Sequence, residues 1–142
     1  MSDNKYLIQP IGVVRSELKS LDECPKQGQE GAPDAWIEID ETFIKGLDDI
    51  EVGQEILILT WLHLARREEL KIHPRADKER PLKGVFAMRS PHRPNPIGLH
   101  KVEVMEIGPA GRIRVYPLEV LDGTPIIDIK SVKEELEDSL GN

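Results

Sequence analysis

Cysteine is nearly absent from the chain. The one thiol, Cys24, excludes an internal disulfide and suits a reducing, cytoplasmic setting. It stands in a polar loop between Glu23 and Pro25 and reads as a tolerated loop residue rather than a nucleophile. Paired Cys or Cys/His zinc spacings are missing too, so no metal is expected. No apolar run approaches the length of a membrane span, and the opening Ser2-Asp3-Asn4-Lys5 does not have the form of a signal peptide. There is no glycine-rich dinucleotide or phosphate loop and no Gly-x-Ser-x-Gly elbow, which removes the familiar routes to nucleotide phosphates and to acyl transfer. Positive charge is also short. The net charge of −7 over 142 residues argues, on average, against a nucleic-acid partner.

The distribution of charge differs from its sum. Between positions 66 and 101 ten Lys/Arg stand against four Asp/Glu, whereas the remainder holds nine against twenty-two. His73, His92 and His100 fall in the same basic third. One basic region on an acidic chain is either an anion-binding surface or a solvated face. Inside it runs Gly84-Val85-Phe86-Ala87-Met88-Arg89-Ser90-Pro91-His92-Arg93-Pro94-Asn95-Pro96-Ile97-Gly98. This stretch opens as a strand around Phe86 and then meets three prolines within six residues. Each proline fixes its own φ and pushes the preceding residue into the extended region, so the polar side chains hang from a stiff rod. Groups ordered in advance lose less entropy on binding, which suits presentation to a ligand.

The remaining chain reads as short strands and polar turns. Residues 6–15 are rich in β-formers, with Pro10 marking an edge or bend. Residues 16–34 form a loop too long to be a plain connector. Residues 35–40 read as a short strand and residues 43–48 as one helical turn. The most apolar run, Ile56-Leu57-Ile58-Leu59-Thr60-Trp61-Leu62, fits a central strand buried on both faces, with His63 at its end. Residues 65–83 are a charged excursion. Residues 99–107, 112–116 and 126–129 read as further strands, and Ser131-Val132-Lys133-Glu134 has the form of a capping box opening a short C-terminal helix. The sum is a mainly β, single-domain chain: a small closed or nearly closed antiparallel barrel of about seven strands with loop excursions. Trp36 and Trp61 read as core. In such a barrel, turns from distant parts of the chain gather at one end, which would bring Gln27, His63, Arg89, Asn95, Asp122 and Thr124 around one pocket.

Two motifs carry a resemblance. Arg89-Ser90-Pro91-x-Arg93-Pro94-Asn95-Pro96-Ile97-Gly98, followed by Leu121-Asp122-Gly123-Thr124-Pro125-x-x-Asp128-Ile129-Lys130, resembles the TsaA-like (TrmO) family. Ile11-Gly12-Val13-Val14-Arg15-Ser16, Pro25-x-Gln27 and Gly46-Leu47 match it as well, so the likeness spans about residues 7–131. Members are S-adenosylmethionine-dependent methyltransferases on a small β-barrel, working as homodimers, and the characterised activity is N6-methylation of threonylcarbamoyladenosine at tRNA position 37. The resemblance implies cofactor contacts at Pro25, Lys26, Gln27, His63, Leu64, Arg89, Leu99, Leu121, Asp122, Gly123 and Thr124. It departs from the family pattern at Lys26, Leu64 and Ser131, and it implies a short form without the C-terminal extension of longer members.

Physical chemistry supplies roles for these residues. A sulfonium is a cation, for which Asp122 is a plausible neighbour, and methyl transfer needs chiefly alignment of nucleophile, methyl and sulfur. The carbamoylated acceptor nitrogen is a weak nucleophile that a general base would help, with Asp122, Asp128 and His63 as candidates. Arg89, Arg93, Asn95 and Lys130 are candidates for holding the RNA, the arginines by charge-assisted bonds to anticodon-loop phosphates or to the substrate carboxylate. Plainer readings stand beside these: Asp122-Gly123 as turn chemistry, Asp128 as a partner for Lys130, Asn95 as a cap of its own loop. Other readings of the chain are a methyltransferase for a small molecule or another RNA, a non-catalytic nucleoside-binding barrel, and a polyproline ligand displayed at residues 89–94.

Overall fold

The computed structural model describes residues 4–19 and 33–132, so the loop holding Pro25, Lys26 and Gln27 and the expected C-terminal helix lie outside the described residues. Eight strands follow in order: β1 (Gly12–Arg15), β2 (Ala35–Ile39), β3 (Glu55–Trp61), β4 (Lys71–Ile72), β5 (Lys83–Gly84), β6 (Ile97–Ile107), β7 (Arg112–Tyr116) and β8 (Pro125–Ser131). Six of them close into an antiparallel barrel in the order β1-β2-β7-β6-β3-β8, and β4 and β5 pair separately as a small hairpin. The expected closed antiparallel barrel is therefore present. The excursion between β3 and β6 carries its own short pairing.

Alternation builds the core. Ala35, Ile37 and Ile39 of β2, Ile56, Ile58 and Thr60 of β3, Val102 and Val104 of β6, and Ile113 and Val115 of β7 all point inward and are buried. Successive side chains of a strand face opposite sides, so one phase of each strand fills the barrel. Val14, Leu118, Val120 and Ile126 complete an aliphatic interior. A 3-10 helix, Glu41–Leu47, caps one mouth of the barrel, with Phe43, Ile44 and Leu47 packed against the core and Asp40 accepting from the Thr42 N–H at its start.

Four local expectations are corrected. β1 begins at Gly12 rather than Tyr6, and Leu7 is wholly exposed. The Ile11 N–H still reaches the Ile126 carbonyl at 2.8 Å, but Pro10 has no N–H with which to extend the ladder. The stretch around Phe86 is a 3-10 turn, Val85–Ala87, rather than a strand. The Arg93 guanidinium gathers the carbonyls of Val85 and Met88, which holds the chain in that turn. β3 is buried on one face only: Ile56, Ile58 and Thr60 are buried, whereas Leu57, Leu59 and Trp61 on the outside of the barrel are half-buried, with no layer of helix over them among the described residues. Trp36 and Trp61 accordingly lie on the outer face. Each is covered by an arginine instead of core: Arg112 over Trp36 at 4.3 Å and Arg67 over Trp61 at 5.1 Å.

Ile58 is fully buried at the middle of β3. Ile58→Ala is expected to lower unfolding free energy by about 2–5 kcal/mol. Leu57→Ala, one residue along on the outer face, should lose roughly half of that or less. Urea denaturation of the two variants checks the assignment of faces.

Candidate functional site

Three strand ends meet at the mouth of the barrel away from the 3-10 helix. β3 leaves there, β6 enters there, and β8 enters from the turn that precedes Pro125. The chain around these ends lines a cavity of about 620 Å³ formed by residues 62–65, 86, 88–93, 97–100, 119–121 and 124. A volume of this size suits a nucleoside-sized ligand.

The proline-rich segment is held along its length. Arg67 Nε donates to the Pro94 carbonyl at 2.7 Å and its Nη2 to Asn95 Oδ1 at 3.3 Å. The Arg93 N–H bonds the Arg66 carbonyl, and His92 Nδ1 accepts from the Arg66 N–H at 3.0 Å. His92 is pushed below the ordinary histidine range by burial and by the nearby Arg66 charge, so the neutral ring that accepts this bond is favoured. Arg89 crosses to β6, where Nη2 donates to the Leu99 carbonyl at 3.0 Å. The rod expected from the prolines is thus also braced by three arginines.

On the opposite wall, residues 121–124 form a tight turn. Gly123 takes φ +88°, a conformation that favours glycine, and the Thr124 N–H and hydroxyl both bond the Leu121 carbonyl. The turn is tied to the exit of β1 by Asp122 N–H to Leu18 O and Gly123 N–H to Val14 O. The Asp122 carboxylate accepts from the Ser16 N–H at 3.0 Å and pairs with Lys19 at 3.2 Å, and these two contacts hold it below the usual carboxylate range.

Of the residues named from sequence, His63, Leu64, Arg89, Arg93, Leu99, Leu121 and Thr124 line this one cavity. Asp122 and Gly123 lie in the adjoining turn without lining it, and Asn95 is engaged by Arg67. Asp128 and Lys130 are not brought to this cavity: they line a separate one beside the 3-10 helix. β8 runs away from the site, and Asp128, opposite Leu59, is already past the cavity end of β3. They pair with each other at 3.7 Å, the plainer of the two readings.

Four polar residues of the cavity were not named as site residues, Ser90, His92, His100 and Glu119, and the last two stand out. His100 follows the inward phase of Val102 and Val104, and that alternation was a usable signal. Its Nε2 lies 2.9 Å from the Oγ1 of fully buried Thr60. Burial, with the Arg89 charge adding to it, pushes the ring down to about 4. Gly98 makes the room, since a Cβ there would stand 2.5 Å from Thr60 Oγ1 and 2.8 Å from His100 Nε2. Glu119 is the second. It lies between buried Leu118 and Val120, and nothing in the sequence marks it.

The basic third of the sequence forms a neighbouring cleft of about 840 Å³, lined among others by Arg66, Lys71, Arg75, Lys78 and Arg80, which shares residues 88–92 with the first cavity. Among the described residues, no group of three or more His, Cys, Asp or Glu is placed to hold a metal ion, and no helix is long and apolar enough to cross a membrane.

A closed six-stranded barrel with a ligand-sized cavity at one mouth and a basic cleft beside it defines a class of small-molecule-binding domain able to meet an anionic partner. The family model of the tRNA-methyltransferase O N-terminal domain matches residues 13–138, and the chain belongs to that family. It is 43% identical to a probable S-adenosyl-L-methionine-binding protein of Methanothermobacter thermautotrophicus, over 99% of each chain. It is 40% identical to an S-adenosyl-L-methionine-binding protein of Archaeoglobus fulgidus, over 92% of each. A crystal structure of TrmO from Pseudomonas aeruginosa superposes with a TM-score of 0.72 at 29% identity, covering 93% of this chain and 56% of that one. The chain therefore spans little more than half of the solved TrmO structure.

Two outcomes are expected. As pH falls from about 6.5 towards 4, the unfolded chain takes up a proton that the folded His100 ring refuses, so stability should fall by up to about 1.4 kcal/mol per pH unit. His100→Gln should lose that part of the slope in urea unfolding at pH 5 and 7, and an unaltered slope would mean that the ring titrates normally. Gly98→Ala should force Thr60 and His100 apart and destabilise the barrel by about 1–3 kcal/mol, seen in the same assay.

Proposed function

We propose that the chain binds S-adenosylmethionine in the cavity at the β3–β6–β8 mouth and methylates tRNA, with N6 of threonylcarbamoyladenosine at position 37 as the acceptor. One observation carries the reading: the family's cofactor residues at 63–64, 89, 99, 121 and 124, scattered over 62 positions of sequence, line one cavity. The residues present fit such a ligand. Leu64, Leu99 and Leu121 offer apolar contact, Thr124 and the turn carbonyls offer polar contact, and Glu119 has a buried oxygen awaiting a positive group.

When bound, S-adenosylmethionine supplies a methyl group activated by a sulfonium. The chain's part is to hold and orient. Arg89 and Arg93 spend their guanidinium groups on backbone carbonyls and so fix the wall of the cavity, which puts alignment first among the catalytic contributions. His63, exposed at the end of β3, is the one sequence-named base on the cavity and is assigned the acceptor proton. Asp122 acts by fixing the 121–124 turn. The basic cleft that shares a wall with the cavity suits phosphates of the anticodon loop. Leu99, Met105, Ile107 and Tyr116, apolar and exposed on β6 and β7, suit the face of a homodimer.

The relatives' description as binding proteins favours a second reading, a barrel that holds the cofactor without turnover. Transfer of tritiated methyl from S-adenosylmethionine to tRNA with and without the threonylcarbamoyl group separates the two. Incorporation is expected with the modified tRNA alone. Cofactor binding without incorporation into either would leave the binding barrel.

A further inference from the structure

Among the described residues the cavity contains one carboxylate, and it has been given nothing to do. Glu119, half-buried, lines the same cavity as Arg89, and its Oε1 is shut off from solvent with no hydrogen-bond partner among the described residues. Its backbone is fixed on both sides: the Leu118 N–H bonds the Pro33 carbonyl at 3.0 Å, and Ser16 Oγ donates to the Val120 carbonyl at 2.8 Å. Native structures rarely leave a buried charged oxygen unsatisfied, and where they do the group is often functional or meets a water or an ion. The cations that line the same cavity do not relieve it, because Arg89 bonds Leu99 O and Arg93 bonds Val85 O and Met88 O. The other acidic candidates are committed elsewhere, Asp122 to Ser16 and Lys19 and Asp128 to the far cavity.

We infer that Glu119 is the counter-charge for the sulfonium of the cofactor and lets the site distinguish S-adenosylmethionine from its demethylated product. The inference rests on the cofactor reading above and deepens it. A sulfonium is a cation without N–H groups, so it asks for a negative atom rather than for a hydrogen-bond acceptor with matched donors. A carboxylate oxygen kept dry and unpaired in an otherwise cationic pocket meets that requirement, since charge attraction is strongest where water is excluded. Transfer of the methyl group leaves a neutral thioether, and the attraction disappears with it. Glu119 would then hold the charged cofactor and release the neutral product.

Calorimetric titration of wild type and Glu119→Gln with S-adenosylmethionine and with S-adenosylhomocysteine tests this, because both ligands carry the same amino, carboxyl, ribose and adenine groups. Whichever binds wild type more tightly, the ratio of the two dissociation constants should shift by about tenfold or more against S-adenosylmethionine in the variant. An equal loss for both ligands, or no loss, would overturn the inference while leaving the cofactor reading intact. Failure of wild type to bind either ligand would overturn the cofactor reading itself. Removing an unpaired buried charge should leave the melting temperature of the free protein unchanged or higher. Glu119→Asp, which keeps the charge one methylene farther back, should give an intermediate ratio and serves if the glutamine variant does not fold.

Discussion

Strand β3 is hydrogen-bonded along its length to β6 on one side and to β8 on the other, and every wall of the cavity depends on that double pairing. The register sets Thr60 opposite Gly98 and next to Ile126, so the exit of β3, the start of β6 and the turn before β8 arrive at one level. From that level leave residues 62–65, 88–93 and 119–124. A slip of one residue in either ladder would turn Thr60 outward and with it the whole inward aliphatic set, which is why the core specifies the site as well as the fold.

The two walls are made rigid by different means. On one, prolines restrict the backbone, the Arg67 and Arg93 guanidinium groups bind its carbonyls, so charge is used as internal bracing, and the Arg66 main-chain N–H bonds the His92 ring. On the other, a glycine turn is tied to the exit of β1 by main-chain bonds and by the Asp122 carboxylate. Between them stand the few polar groups not fully spent on the fold, His63, His100 and Glu119, in a setting dry enough to push His100 well down. An acidic protein can in this way carry a cationic cleft and one carboxylate with a shielded, unpaired oxygen side by side.

Much of this was legible in the residues. Alternation in 35–39, 97–107 and 112–116 marks the barrel strands, and the two long motifs bring residues 89–99 and 121–124 together before any coordinates. What stayed hidden has physical causes. The strand expected at Phe86 ignored Arg93, whose effect is visible only once the chain has folded back on residues 85–88. Trp36 and Trp61 read as core rather than as stacking platforms, yet both have the outward phase and find arginines instead. Asp128 shares a motif with Asp122 but lies midway along β8, because a strand carries neighbours in sequence away from a site at about 3.3 Å per residue. Glu119 gave no signal at all, since the shielding of its Oε1 depends on tertiary packing that no local pattern records.

The account stands on the cavity at the β3–β6–β8 mouth being the place where S-adenosylmethionine binds. A titration followed by two-dimensional amide NMR addresses that directly. The account predicts saturable shifts at residues 62–65, 88–93, 97–100 and 119–124, with the signals of residues 42–50 and 128–131 unmoved. Shifts confined to that second group, around the cavity beside the 3-10 helix, would contradict it.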